Sequence, residues 1–224
     1  MSRTSSRGRR PSARATRKRH KRVLAVSGGI KTEAQYFDYV NRRVRSGGVV
    51  IVTAKSGRDP VSLVKEARQL ADEDKRNAKN SDDPENVFNA VWVVFDVDDF
   101  ADSIPEAVKL ANQHGIRCAI SNPCFEVWLL WHVSKFSSHD TTKAMQTKAK
   151  QQEVVGGAGG KTINFKQIEG NYSGARENAM NAERVHAEAE RTFPHDNPRS
   201  DVHQLIDYVL ESGAKARPSE EISL

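Results

Sequence analysis

The sequence predicts an α/β protein, with a mainly parallel sheet of about four strands, flanking helices and further helices towards the C-terminus. Two observations carry this. Short apolar runs at residues 23–27, 49–54, 91–95 and 116–121 read as buried strands, and amphipathic segments with helical spacing separate each run from the next. Strand alternating with helix implies parallel strands joined by right-handed crossovers. In such sheets ligands collect beyond the carboxyl ends of the strands, and Gly28, Asp96 and Ser121 all fall at such ends.

The first strand, Val-Leu-Ala-Val-Ser at 23–27, runs into Gly28 and Gly29. Thr32 is the expected N-cap of a helix over 33–45, on which Tyr36, Phe37, Val40 and Val44 share a face, and Gly47 and Gly48 stop it. Residues 49–54 form the second strand. Asp59-Pro60 opens a long helix whose buried side is Leu63, Val64, Ala67, Leu70 and Ala71, fading into the polar run 72–86. The third strand, 91–95, leads to a helix over 104–114 that Gly115 closes, and the fourth strand follows at 116–121. Pro123 suits the first turn of the next helix, which is apolar nearly all round from Val127 to Trp131 and therefore deeply buried, with His132 at its end.

The strand at 91–95 delivers three carboxylates at once: Asp96, Asp98 and Asp99. Carboxylates grouped at the end of an apolar strand repel one another and resist leaving water. A hard divalent cation offsets that cost. Asp96 and Asp98, at i and i+2, point to one face if the segment stays extended, and two oxygen donors suit Mg²⁺, which keeps several of its waters. An acidic, solvated turn that opens the next helix is the plain alternative. Glu126 is unusual in the opening turn of a buried helix: it reads either as a carboxylate stabilised by the positive helix end or as part of the metal site.

Composition sets the class. The chain has 224 residues, 37% hydrophobic and 29% charged, and no run approaches the roughly 18–20 apolar residues a bilayer span needs. The N-terminus shows no apolar signal-peptide core. Cys118 and Cys124 alone fit neither a zinc site nor a disulfide scaffold, so a reducing cytoplasm is expected, with Cys124 a buried structural thiol rather than a nucleophile. The net charge of +6 is unevenly spread: ten of the 35 basic residues lie in 1–22, which has no acid, leaving 25 basic against 29 acidic residues elsewhere. Residues 1–22 therefore read as a disordered basic arm. Its Arg9, Arg10, Arg17, Lys18 and Arg19 suit nucleic acid phosphates, and its lack of aromatic side chains argues against base stacking there.

Residues 23–133 form the α/β core in this reading, and 134–172 a polar, flexible insert. Within the insert, Gly156-Gly157-Ala158-Gly159-Gly160-Lys161-Thr162 imitates a phosphate-binding loop, but Val155 stands where the first glycine belongs, so it reads as a flexible loop. Ser173 is the expected cap of a helix to Thr192, and Asn197 to His203 opens the last helix; residues 173–212 are C-terminal helices packed on the core and 213–224 a frayed tail. No internal repeat is visible.

Three stretches resemble the RloB family of bacterial proteins with a TOPRIM-like domain: Val26-Ser27-Gly28-Gly29-Ile30-Lys31-Thr32-Glu33 with Tyr36-Phe37, Val94-Phe95-Asp96-Val97-Asp98-Asp99, and Ile120 to Leu130. Asn197-Pro198-Arg199-Ser200-Asp201-Val202-His203-Gln204-Leu205 is similar to the family's closing motif. The resemblance implies a TOPRIM-like fold and Mg²⁺-dependent (or Mn²⁺-dependent) nucleic acid cleavage in phage defence, gated by an ATPase partner. It leaves DNA against RNA, and homo-oligomerisation, open. On this reading Asp96 and Asp98 hold the metal with Asp99 nearby, Glu126 or Glu33 completes the shell or takes a proton from the attacking water, and Lys31 either steadies the transition-state charge or is a surface lysine at the helix entry. One departure stands out. The family's glutamate after the first strand, in a Glu-Gly step, is Gly28 here, and the next acidic position is Ile30. Either Glu33 or Glu126 takes over, or this member is a catalytically weakened, nucleic-acid-binding or regulatory subunit. A nucleotidyl transferase would use the same metal geometry, but no triphosphate grip is present.

Overall fold

The computed structural model describes residues 20–45, 48–55, 59–216 and 224. It has an α/β architecture. In chain order come β1 (Lys21–Ser27), α1 (Thr32–Val44), β2 (Val49–Lys55), α2 (Pro60–Lys79), β3 (Ala90–Asp96), a 3-10 turn (Asp98–Ser103), α3 (Ile104–Gln113), β4 (Arg117–Asn122) and α4 (Glu126–Trp131). Then follow α5 (Thr142–Gln151), β5 (Val155–Gly156), a second 3-10 turn (Ala158–Gly160), β6 (Thr162–Ile163), α6 (Phe165–Ile168), α7 (Tyr172–Glu188), β7 (Arg199–Ser200) and α8 (Val202–Ala216).

The main sheet has the order β2-β1-β3-β4-β7. Its first four strands are parallel, and β7 is an antiparallel edge strand on β4. Both faces are covered, which is why the strands read as continuous apolar runs rather than alternating ones. Val23, Ala25, Trp92 and Val94 face the layer containing α1, α4, α5, α7 and α8, whereas Leu24, Val26, Val93 and Phe95 face α2 and α3. Because β1 lies between β2 and β3, the chain leaves β1 in one direction and returns from β2 on the other side. The carboxyl ends of β1 and β3 therefore flank a switch point, where a crevice opens.

Several expectations are corrected. Lys21 and Arg22 belong to β1 and not to the arm. The Arg22 side chain ion-pairs with Asp74 at 2.9 Å, donates to the Asn86 carbonyl at 2.8 Å and lies over the Phe88 ring. Residues 1–19, including Arg9, Arg10, Arg17, Lys18 and Arg19, lie outside the described residues. Thr32 is the first residue of α1 rather than its cap: its hydroxyl is buried without a hydrogen-bond partner. Asp59 does cap α2, accepting from the Ser62 amide at 3.0 Å with Pro60 behind it, but that helix runs on to Lys79 through the polar segment. Pro123 precedes α4, which starts at Glu126 and is buried throughout as expected. Ser173 lies inside the first turn of α7; the buried Tyr172, donating to Asp207 at 2.6 Å, anchors that end instead.

The largest difference concerns 134–172. This stretch carries α5, the β5–β6 pair and α6, and it places Met145, Ala149, Val154, Val155, Ile163 and Ile168 in the core beside α4. Apolar residues this sparse leave a polar composition, yet each is buried. At the C-terminus α8 extends past Ser212 to Ala216, and Leu224 is buried. No helix among the described residues is long and apolar enough to cross a membrane.

Candidate metal centre

The crevice at the switch point is a cleft of about 460 Å³. It is lined by the β1–α1 loop from Gly28 to Glu33, by Asp96, Asp98 and Phe100 after β3, by Phe125 and Glu126 at the start of α4, and by Lys161. Pro60 of α2 and Phe95 complete the lining, so five separate segments meet in one place.

The floor is built from β3 and from the turn after β1. The Ser27 hydroxyl donates to the Gly29 carbonyl at 2.9 Å and the Gly28 amide to the Val94 carbonyl at 2.9 Å, which fixes the turn. Glu33, in the first turn of α1, folds back over Gly29 and is buried. A Cβ at Gly29 would overlap the Glu33 carboxyl group, so only glycine admits this approach. Burial, followed by the charge of Glu126, pushes the Glu33 carboxyl above the ordinary range, against hydrogen bonds from the backbone and the Lys161 charge.

Asp96 closes β3. Burial first, then the charges of Glu33, Glu126 and Asp98, push its carboxyl well above the ordinary carboxylate range. Its Oδ1 is buried with no hydrogen-bond partner. An acceptor left in that state costs on the order of 1–3 kcal/mol, and more when charged.

Asp98 reaches the cleft by a different route from the one the sequence suggests. Val97 takes helical torsions (φ −69°, ψ −53°) and Asp98 a positive φ of 32°, so the chain turns at once instead of staying extended. The i, i+2 pleat argument therefore does not apply, although both carboxylates line the cleft. The turn is stitched to the next loop: the Val97 amide donates to the Ser121 carbonyl at 2.9 Å and the Asp98 amide to the Pro123 carbonyl at 3.0 Å. The Thr142 hydroxyl of α5 donates to Asp98 Oδ1. Asp99 follows in the 3-10 turn; its side chain lies outside the described part of the molecule.

Glu126 is 3% exposed, and its Oε1 accepts from Lys161 Nζ at 3.4 Å. Burial works against the Lys161 charge, but Glu126, Glu33 and Asp96 outweigh it and hold the ammonium above its ordinary pKa. Lys161 is the site residue that sequence reasoning missed. Judged against phosphate-loop spacing, its loop fails; as a carrier of one lysine, it succeeds. Gln35 of α1 holds it there, donating from Nε2 to the carbonyls of Lys31 (3.0 Å) and Lys161 (2.8 Å) and accepting from the Ile163 amide at 3.2 Å. Lys31 itself is exposed and lines the cleft. Burial and the neighbouring Glu126 push the Cys124 thiol far up, so it stays protonated and is no nucleophile. His132 sits buried at the end of α4, donating from Nδ1 to the Trp128 carbonyl at 2.9 Å, and does not face the cleft.

The structure therefore gathers Glu33, Asp96, Asp98 and Glu126 with Lys31 and Lys161. Among the described residues no group of three His, Cys, Asp or Glu side chains is placed to hold a metal ion together. Mg²⁺ does not require one, since it binds through one or two carboxylates and retains water. The orphaned Asp96 oxygen, facing an excess of buried negative charge, fits such an ion.

A family model described as RloB-like protein matches residues 23–209. No curated protein and no solved structure matches the chain.

Proposed function

The chain belongs to the RloB-like protein family, and we propose that it is a divalent-metal-dependent nuclease working at the acidic cleft. The observation that carries this reading is Asp96, whose buried Oδ1 has no hydrogen-bond partner while three further carboxylates bear on it. Asp96 with Asp98 or Glu126 would hold Mg²⁺ or Mn²⁺ through one or two carboxylates, with bound water making up the rest of the ion's ligands and Asp99 next to Asp98 in the chain. A bound ion supplies Lewis acidity at the phosphoryl oxygen and a more acidic attacking water.

The chain's own groups do the rest. Glu33, with its carboxyl raised above the usual range, accepts the water's proton at a carboxylate oxygen, a task that favours a basic carboxylate. Lys161 and Lys31 place positive charge beside the phosphate, and phosphoryl transfer depends mainly on such positioning and electrostatics. Basic residues of the N-terminal segment, Arg9, Arg10, Arg17, Lys18 and Arg19, hold the nucleic acid backbone. The family resemblance adds an ATPase partner and a phage-defence setting to the same proposal.

The test is cleavage of labelled DNA and RNA with Mg²⁺ or Mn²⁺. The expected result is cleavage by the wild type and a loss of at least about 100-fold in Asp96→Ala plus Asp98→Ala. Cutting by the double variant at the wild-type rate refutes the assignment. One observation favours a second reading, a regulatory or binding subunit without catalysis: glycine stands at 28, where the resemblance implies a carboxylate. That reading predicts no cleavage by the wild type on any of these substrates, with or without metal.

A further inference from the structure

Four large apolar side chains are exposed among the described residues: Ile30, Phe100, Val133 and Met180. Two of them, Ile30 (55% exposed) and Phe100 (43%), line the acidic cleft. Phe100 belongs to the 3-10 turn that follows Asp96. Its amide donates to the Val97 carbonyl at 2.7 Å and its carbonyl accepts from the Ser103 hydroxyl at 3.0 Å. The backbone is thus pinned while the ring faces solvent.

A single exposed apolar side chain is ordinary on a protein surface, but two that face solvent inside one polar cleft form a patch that a ligand can cover. Here it shares a cleft with carboxylates and with Lys31 and Lys161. The ligand that matches is flat and apolar in one part and anionic in the adjoining part, which describes a nucleobase on a phosphodiester strand. In a duplex both base faces are covered by their neighbours. Only an unpaired base offers a free face to a side chain.

We propose that Phe100, with Ile30 on the β1–α1 loop of the same cleft, stacks an unpaired base, so that the cleft takes single-stranded nucleic acid in preference to duplex. This rests on the reading of the cleft as a phosphodiester site, but it requires binding only.

The test is fluorescence anisotropy on the full chain carrying Asp96→Asn to suppress cutting. The probes are a short single-stranded DNA, its RNA counterpart, the annealed DNA duplex and the same single strand with abasic sites. Phe100→Ala is expected to weaken binding of the base-bearing single strands about 5- to 150-fold. It should leave the abasic strand and the duplex unchanged. Phe100→Trp retains the single-strand affinity, and Phe100→Leu, which keeps apolar bulk without the ring face, behaves like the alanine variant. Unchanged single-strand affinity in Phe100→Ala overturns the proposal, as does an equal loss on the abasic strand. The two readings fail separately. A cleft that stacks bases but never cuts shows the Phe100 dependence and sinks only the nuclease assignment, whereas an enzyme that cuts without that dependence sinks only the stacking.

Discussion

Lys161 Nζ lies 3.4 Å from Glu126 Oε1, reaching a buried carboxylate from a loop 35 positions along the chain. The ammonium offsets part of the negative charge collected from Glu33, Asp96 and Glu126. If the cleft takes a divalent cation as proposed, the cation and this ammonium compete for the same oxygen. Lys161→Met is expected to destabilise the metal-free protein by about 1–3 kcal/mol, since the buried Glu126 loses its cationic partner and keeps only the weak Cys124 thiol as a donor. It should also enlarge the rise in melting temperature that Mg²⁺ or Mn²⁺ produces. Thermal denaturation with EDTA and with metal checks both; a variant whose metal response is no larger than that of the wild type contradicts this competition.

Asp96 makes a prediction of opposite sign for stability. Its carboxyl is raised in the folded state by burial and by neighbouring carboxylates. The stability tied to this group is complete at low pH, where the carboxyl is neutral in both states, and is lost as pH rises through the folded value. Asp96→Asn cannot ionise. In EDTA the variant should be more stable than the wild type at pH 8, with the advantage shrinking towards pH 4. Denaturant unfolding at several pH values measures this, and a variant less stable at pH 8 would show that Asp96 has ample hydrogen-bond donors.

His132 gives a pH response away from the cleft. It stacks edge-on against Trp128 with ring centroids 4.9 Å apart, and burial pulls its pKa down from 6.5 to about 4. The unfolded chain takes up this proton first as pH falls, so stability is lost between about pH 6.5 and 4, by up to about 3 kcal/mol. His132→Phe should remove that share of the slope whatever it does to stability at pH 7. Equal slopes in the two proteins would mean that His132 is protonated in the fold.

Arg199 holds the segment that carries β7 onto β4. It donates from Nε and Nη2 to Asp201 at 2.8 and 2.7 Å, and from Nη1 to Asp196 at 2.7 Å. Asp196 also accepts from Asn122 at 2.8 Å, and Asp201 from the Ile120 amide, so the pair braces the end of β4 that leads to Glu126. Both aspartates are buried. Arg199→Ala should cost about 3 kcal/mol, the low end for breaking a buried ion pair because the guanidinium is partly exposed. Lysine should not restore it, since it lacks the two-pronged geometry. Urea denaturation separates the three proteins.

Much of this was legible in the chain. Four apolar runs separated by amphipathic segments mark the four parallel strands, and an apolar run ending in acids places Asp96 at the cleft because a strand end fixes where its last side chains emerge. Glu126 was legible as a carboxylate in the opening turn of a buried helix, and Glu33 only through the family resemblance. Lys161 was not, since nothing local says that Gln35 of α1 captures its carbonyl. The 134–172 segment escaped for a related reason. Met145, Ala149, Ile163 and Ile168 are isolated apolar residues, and what buries them is α4 and its neighbours rather than a pattern of their own. The two-residue β7 is too short to have a period at all. Asp98 shows the reverse error: the pattern pointed to a residue that does line the cleft, but through an extended geometry that the turn at Val97 replaces.

Isothermal titration of the metal-free chain with Mn²⁺ and Mg²⁺ tests most directly whether these carboxylates form a cation site. The wild type should show one saturable binding event at or below millimolar metal, and Asp96→Asn plus Glu126→Gln should abolish it while the far-ultraviolet circular dichroism stays native. A wild type with no saturable heat at millimolar metal, or a double variant that binds as tightly, would contradict the account.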